Sequence, residues 1–284
     1  MENEIETNWT TILRPQSGWF DLNLGEIWRY RSLILLFVRR DFVAIYKQTI
    51  LGPIWFLIQP LFSTVVFTII FGKVAKIPTD GIPHVLFYLS GVICWNYFSA
   101  SLTKTSDTFI SNAGIFGKVY FPRLVVPVSV IITNLITFSI QMILFLCILG
   151  YYHFSTSGIK PGLYILFMPL LLLQMAALGL GVGIIISSLT TRYRDLSYLV
   201  SFGVQLWMYG TPIVYPLSQI PEQWKWIFIL NPMASIVEFF RYAFLGSGSV
   251  SIANLAVSAS ITMVLLITGI VLFSRIEKTF MDTI

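Results

Sequence analysis

Arg39-Arg40-Asp41-Phe42-Val43-Ala44-Ile45-Tyr46-Lys47-Gln48-Thr49-Ile50-Leu51-Gly52-Pro53-Ile54-Trp55 joins two kinds of chain. Before it lies a basic, amphipathic segment. After it, no charged residue appears until Lys73. One short stretch therefore carries the chain from an aqueous surface into a bilayer. At 100° per residue, Arg29, Arg40 and Lys47 fall within roughly 20° of one another on a helix. They form a cationic stripe at a membrane surface, with Leu33, Phe37 and Ile45 available to enter the headgroup zone. Two readings fit these residues. A helix that obeys the positive-inside rule needs nothing more. An entry platform for an anionic, lipid-linked molecule would use the same Arg and Lys donors, which suit phosphate.

Composition agrees with a membrane setting. The chain has 284 residues, 56% hydrophobic and only 11% charged, which does not describe a soluble domain. Lys and Arg outnumber Asp and Glu by 18 to 13. In a membrane protein that excess belongs to the cytoplasmic flanks of spans, and no nucleic-acid partner is expected. Residues 1–11 are acidic and polar, without the apolar core of a cleavable signal peptide. Cys94 and Cys147 sit inside apolar runs and read as free thiols. His84 and His153 are far apart, and no metal-ligand spacing is present.

Charge-free intervals predict six spans, at residues 49–72, 85–103, 124–150, 162–189, 196–215 and 252–274, most of them long enough for the ~20 residues a helix needs to cross. The run between Lys225 and Glu238 is too short and reads as a re-entrant or interfacial hairpin. Basic residues then set the orientation. With a cytoplasmic N-terminus, thirteen Lys and Arg fall on the cytoplasmic side (among them Arg29, Arg39, Arg40, Lys47, Lys104, Lys118, Arg123, Arg192, Arg194 and Arg275) and five on the other (Lys73, Lys76, Lys160, Lys225, Arg241). Both chain ends are expected in the cytoplasm.

The connections are unequal. Residues 104–123 mix Phe109, Ile110, Ile115, Phe116 and Val119 with polar residues. They predict a short helix that either presents apolar side chains to a soluble partner or lies on the membrane. Gly179, Gly183 and Ser187, at four-residue spacing, predict a close helix–helix approach. Residues 211–246 hold Pro212, Pro216, Pro221 and Pro232, with Trp224 and Trp226 at an interface. There Asn231 and Pro232 suit the cap and first position of a helix. Glu238 and Arg241, three apart, can pair in a partly dry setting, with or without a role in transport.

What is missing narrows the function. No P-loop occurs, because Phe67 and Asn112 stand where Gly72-Lys73 and Gly117-Lys118 would need their first glycine. No hydrolase motif appears. The spans are nearly free of ionisable groups, which leaves an ion-coupled carrier little to work with. Any energy input should come from a partner. Aromatics crowd the spans instead. Most fit interfacial belts and lipid-facing packing. Some, including Trp55, Phe62, Tyr88, Trp95, Trp207 and Tyr209, could stack on sugar rings along a conduit.

With these residues in view, the chain resembles the permease subunits of type-2 ABC exporters, in particular the polysaccharide branch of Wzm-like O-antigen, capsule and teichoic acid permeases. The resemblance runs from about Leu24 to the end. It is carried by Arg40-Asp41 with Tyr46-Lys47-Gln48-Thr49, Leu51-Gly52, Trp55 and Pro60. Phe121-Pro122-Arg123 with Pro127, Arg194-Asp195-Leu196, and Asn231-Pro232 followed by Glu238 and Arg241 add to it. It implies one all-α integral membrane domain over residues 1–284, in the inner (cytoplasmic) membrane of a bacterium, and a homodimer with two ATPase subunits that bind the ATP and magnesium. It divides the chain into a tail (1–24), an amphipathic interface helix (25–48), six spans, a coupling region (104–123) and an outer gate hairpin before the last span (212–246). Coupling to the ATPase would involve Phe109, Ile110, Ile115, Phe116 and Lys118. The gate would involve Asn231, Pro232, Glu238 and Arg241. The implied substrate is a glycan on a polyprenyl pyrophosphate or related lipid, with Arg39, Arg40 and Lys47 at its entrance. The same architecture exporting a drug or lipid, a membrane-embedded glycolipid enzyme and a structural scaffold remain as alternatives.

Overall fold

The computed structural model describes residues 24–47, 50–119, 121–155, 161–190, 195–248 and 251–279. The expectations that fall on the 1–23 tail, Gln48, Thr49, Arg192 and Arg194 lie outside the described residues, as do the side chains of Ile45 and Tyr46. Among the described residues the chain is all helix, with no strand. Helices α1 (Leu24–Arg29) and α2 (Arg31–Lys47) precede α3 (Trp55–Phe67), α4 (His84–Ser106) and the short α5 (Thr108–Phe116). Then follow α6 (Val125–Ser155), α7 (Met168–Thr190), α8 (Leu196–Tyr209), α9 (Lys225–Leu230), α10 (Pro232–Leu245) and α11 (Ile252–Thr279).

The stretch from Arg39 to Trp55 turns at Gly52, whose φ of +53° is open to glycine and strained for most side chains. Pro53 then leads a 3-10 turn over Gly52–Ile54 that runs directly into α3. Beyond Phe67 the helix widens into a π-helix over Thr68–Val74.

Five stretches are long and apolar enough to cross a membrane: Gly52–Val74, His84–Ser106, Val125–Ser155, Leu163–Thr190 and Ile252–Ile276. The span predicted over 196–215 is shorter than expected. Helix α8 stops at Tyr209, and its 14 residues reach about 21 Å against a hydrocarbon core of ~30 Å. The Gly210 and Thr211 N–H groups fold back on the carbonyls of Leu206 and Met208, and Pro212 and Pro216 hold the following residues in turns. The predicted hairpin is a bent pair, Glu222–Leu230 and Pro232–Leu245, with 99° between its arms.

Helix α4 is the axis of the bundle: 78% of its most apolar stretch is buried, against 11% for the first span and 17% for the last. Glycines seat α7 against two neighbours at once. A Cβ on Gly179 or Gly183 would meet α4 at Ser101 Cβ (3.0 Å) or Thr105 Cβ (2.6 Å). On Gly181 it would meet the Leu266 backbone of α11 at 2.8 Å, and on Gly269 the Gly181 carbonyl at 2.6 Å. The close approach expected of Gly179 and Gly183 is therefore directed at α4, and Gly181 serves a second helix. These are the close contacts that small residues permit in lipid, where no hydrophobic force drives helices together.

Two apolar clusters result. The larger joins α4, α6, α7 and α10. The smaller gathers Phe37, Phe109, Phe116, Phe121, Val126 and Phe273, so α2, α5 and the C-terminal turns of α11 meet at one end of the bundle. The bent hairpin lies at the other end, beside the start of α4.

Candidate functional site

At the α5 end, residues 25–47 form two helices broken at Tyr30, not the single helix expected over 25–48. Arg29 ends the first of these helices, whereas Arg40 and Lys47 belong to the second. Arg39, Arg40 and Lys47 all reach the surface. Arg40 is engaged within its own helix: Nε donates to Asp41 Oδ1 at 2.8 Å, and the guanidinium covers the Phe37 ring at 4.6 Å. Phe37, expected in the headgroup zone, is instead buried, with its ring 5.8 Å from that of Phe121. Leu35 and Leu36 of α2 are exposed instead. A helix with two apolar stripes can give one to the protein and one to lipid, and the sequence does not say which goes where.

The same correction applies to α5. Phe109 and Phe116 were expected to meet a partner, but they are 1% and 5% exposed. Phe109 stacks on Phe273 of α11 at 4.7 Å, and Phe116 packs against Phe121 at 5.7 Å with Arg123 over its other side at 5.6 Å. These rings fasten α5 to the bundle. The surface this region offers outward includes Ile110 (40% exposed) on α5 and Lys118 just beyond it, with Ile115 half-buried between. Phe121-Pro122-Arg123 belongs to this fastening, because Phe121 touches both Phe37 and Phe116.

The six conduit aromatics divide by burial. Tyr88 and Trp95 are closed inside the large cluster and are not available to line a path in the single chain. Trp207 is half-buried, edge-on to Phe98 at 5.0 Å and to Trp95 at 6.5 Å. Trp55 and Phe62 on α3 and Tyr209 on α8 are exposed, Phe62 to 70%. An open apolar groove of about 340 Å³ runs along α8, lined by Leu102, Val182, Ile186, Val200, Val204 and Trp207.

The hairpin end holds the densest polar cluster. Asn231 caps α10 as expected, its Oδ1 accepting from the Met233 N–H at 3.1 Å, with Pro232 as first helical residue. The same oxygen accepts from Trp207 Nε1 at 3.0 Å. The amide nitrogen donates to the Gly210 carbonyl and to Thr211 Oγ1, both at 3.0 Å. One side chain thus ties the bend of the hairpin to the end of α8. Pro232 is held in turn, its carbonyl accepting from Ser258 on α11 at 2.9 Å.

Arg241 is 2% exposed and spends its guanidinium on backbone. It donates to the carbonyls of Pro212 (2.6 Å), Ile213 (2.8 Å) and Phe87 (3.3 Å) and to Ser90 Oγ (3.3 Å), and it covers the Phe87 ring at 3.6 Å. Glu238, also buried, approaches no closer than 3.7 Å. The expected ion pair is present but loose, and the main partners are the carbonyls just past the end of α8, with the Phe87 carbonyl in the first turn of α4 as a further acceptor. Gly91 makes room, since a Cβ there would meet Arg241 Nη2 at 3.0 Å. Pairing a buried charge with several acceptors is what makes its desolvation tolerable.

Sequence reasoning missed Trp207 as a partner of Asn231, and it missed Asp80. That residue sits at the tip of the loop before α4 and accepts from Ser218 Oγ at 2.8 and 3.0 Å. The Asp80-Gly81 dipeptide marks a tight turn, and that was the available signal. Among the described residues no group of His, Cys, Asp and Glu is placed to hold a metal.

Comparison with known proteins adds to this geometry. A family model described as ABC-2 type transporter matches residues 32–245. The O-antigen export system permease protein RfbA of Klebsiella pneumoniae is 29% identical over 261 residues, 92% of this chain and 96% of that protein. The protein of the same name from Myxococcus xanthus is 28% identical, over 91% of this chain and 98% of its own length. The polysialic acid transport protein KpsM of Escherichia coli is 25% identical over 82% of this chain and 89% of its own.

Proposed function

Since the chain belongs to the ABC-2 type transporter family, we propose that it is the permease subunit of an ATP-driven exporter that moves a lipid-linked, O-antigen-like polysaccharide across the inner membrane. The observation that carries this reading is the end-to-end likeness to an O-antigen export permease, over more than nine-tenths of both chains. A capsule-type glycan is the second reading, favoured by the likeness to a polysialic acid transport protein.

In this reading the α5 end faces the cytoplasm. Two ATPase subunits, which hold the ATP and magnesium, dock there on Ile110, Ile115 and Lys118. Phe109 and Phe116 transmit the push inward, because Phe109 stacks on Phe273 of α11 and Phe116 packs on Phe121. The permease works as a homodimer. The exposed aromatic face of α3, with Trp55 and Phe62, and that of α8, with Tyr209, need cover that a single chain does not give them. Between two copies those rings can stack on sugar faces without gripping them. Arg39, Arg40 and Lys47 stand beside α3 and offer charge-assisted donors to a pyrophosphate. At the far end, α9 and α10 form the gate, hinged at Asn231.

The test is purification of the tagged chain in mild detergent, with each stoichiometric partner identified by mass. The expected partner is an ATPase with a P-loop, released when Ile110 and Ile115 are changed to Asp. In cells, Arg40→Gln with Lys47→Gln should abolish surface glycan while the complex still assembles. A chain that purifies alone with glycolipid-processing activity would overturn the reading.

A further inference from the structure

The loop between the first span and α4 is built rather than slack. Thr79 Oγ1 donates to the Ile82 carbonyl at 2.6 Å, the Ile82 N–H returns to the Thr79 carbonyl at 3.0 Å, and both residues are buried. Between them Asp80 (φ +51°) and Gly81 (φ +81°) both lie in the left-handed region, the pattern of a type I′ turn, where Asp and Gly are the favoured pair. The turn therefore presents the Asp80 carboxylate outward from a fixed base.

Both ends of the hairpin come to it. Ser218, in the 3-10 turn that leads toward α9, donates to the two carboxylate oxygens at 2.8 and 3.0 Å. Ser247, just past the Gly246 cap of α10, donates to the Asp80 carbonyl at 3.4 Å. The two serines are 29 positions apart in sequence, yet they close on one residue of another loop. These bonds also differ in kind from those deeper in the hairpin. Arg241 is buried and bonded to backbone, so it can serve as a pivot. The Asp80 contacts are solvent-exposed, and water can replace each of them at little cost when they part.

We propose that Asp80 is a positioning residue for the gate: a releasable latch that holds both ends of the hairpin to the loop before α4 while the path is shut, and lets go when substrate leaves. The inference rests on the exporter reading above and adds to it the part that must open.

A reversible bridge tests this. Asp80→Cys and Ser218→Cys are combined in the full chain, expressed with its ATPase in a strain lacking its own permease. The two thiols are joined by oxidation or a short thiol-bridging reagent, and closure is followed by loss of thiol labelling above the Cys94 and Cys147 background. Bridging is expected to lower the appearance of new surface glycan at least ten-fold, and reduction to restore it. Each single variant should be indifferent to the oxidant. Export that continues unchanged with the bridge formed would overturn the latch alone, since a merely structural tie tolerates being made permanent. Failure of the thiols to bridge would overturn it too. A wild-type chain that exports no glycan in the same strain would overturn the exporter reading, and the latch with it.

Discussion

At each end of the bundle a short helix is fastened to longer ones, and the two fastenings are made of different chemistry. Helix α5 is held by Phe109, Phe116, Phe121 and Phe273, rings that touch over broad faces. Helix α10 buries its own apolar face against Phe145 and the large cluster, and adds one guanidinium and one amide that hydrogen-bond to named acceptors. Burial of rings is non-directional and scales with area, so it tolerates a change of shape. A fan of hydrogen bonds in a dry site depends on each donor, and a buried acceptor left alone keeps its full desolvation cost. The α5 end should therefore give way gradually under mutation and the hairpin end abruptly.

The largest expected effect is at Arg241. Arg241→Ala should cost about 3–5 kcal/mol, because it takes the counter-charge from a buried carboxylate and the donor from the Pro212 and Ile213 carbonyls together. Arg241→Lys should cost nearly as much, since an ammonium lacks the planar fork that reaches Pro212, Ile213 and Phe87 at once. Thermal unfolding in detergent measures both, and a well-tolerated Lys would break the contrast. Phe109→Ala should also be severe, about 3–5 kcal/mol, but Phe109→Leu should cost only about 1 kcal/mol because the site can repack. Equal damage from the two would mean that the rings are as exacting as the guanidinium. Asn231→Ala comes next, at about 2 kcal/mol, losing a helix cap and the link to Trp207. Trp207 fluorescence should report that loss even where stability changes little. The smallest effect belongs to the exposed Arg40–Asp41 pair, whose removal by Asp41→Asn should change stability by less than about 1 kcal/mol.

The contrast also marks how far the sequence could be read. Charge-free runs located the long helices, because a bilayer imposes length and polarity directly. The Asn231-Pro232 cap and the Gly179 and Gly183 approach were visible for the same reason: each is a local rule written in neighbouring residues. The orientation of α5 was not visible. Its apolar stripe suits a partner or its own bundle equally well, and the choice depends on Phe273, far along the chain. The partners of Arg241 were hidden more deeply. They are carbonyls 28, 29 and 154 positions away, and a backbone acceptor leaves no mark in residue identity. Glu238, three residues away, was the only partner that sequence could nominate. The early end of α8 lay between these cases, with Gly210 and Pro212 in plain view inside a run whose hydrophobicity favoured a longer helix.

The glycines of α7 carry a mechanical consequence. Gly179 and Gly183 receive the short Ser101 and Thr105 side chains of α4, and Gly181 with Gly269 brings α7 and α11 backbone to backbone, so three helices meet with no long side chain at these contacts. A joint of that kind has no cushion, and it cannot be compressed or slid without collision. The trio behaves as the stator of the molecule. Displacement is left to the parts that lean on it with little burial: α3, α8 and the α9 arm of the hairpin.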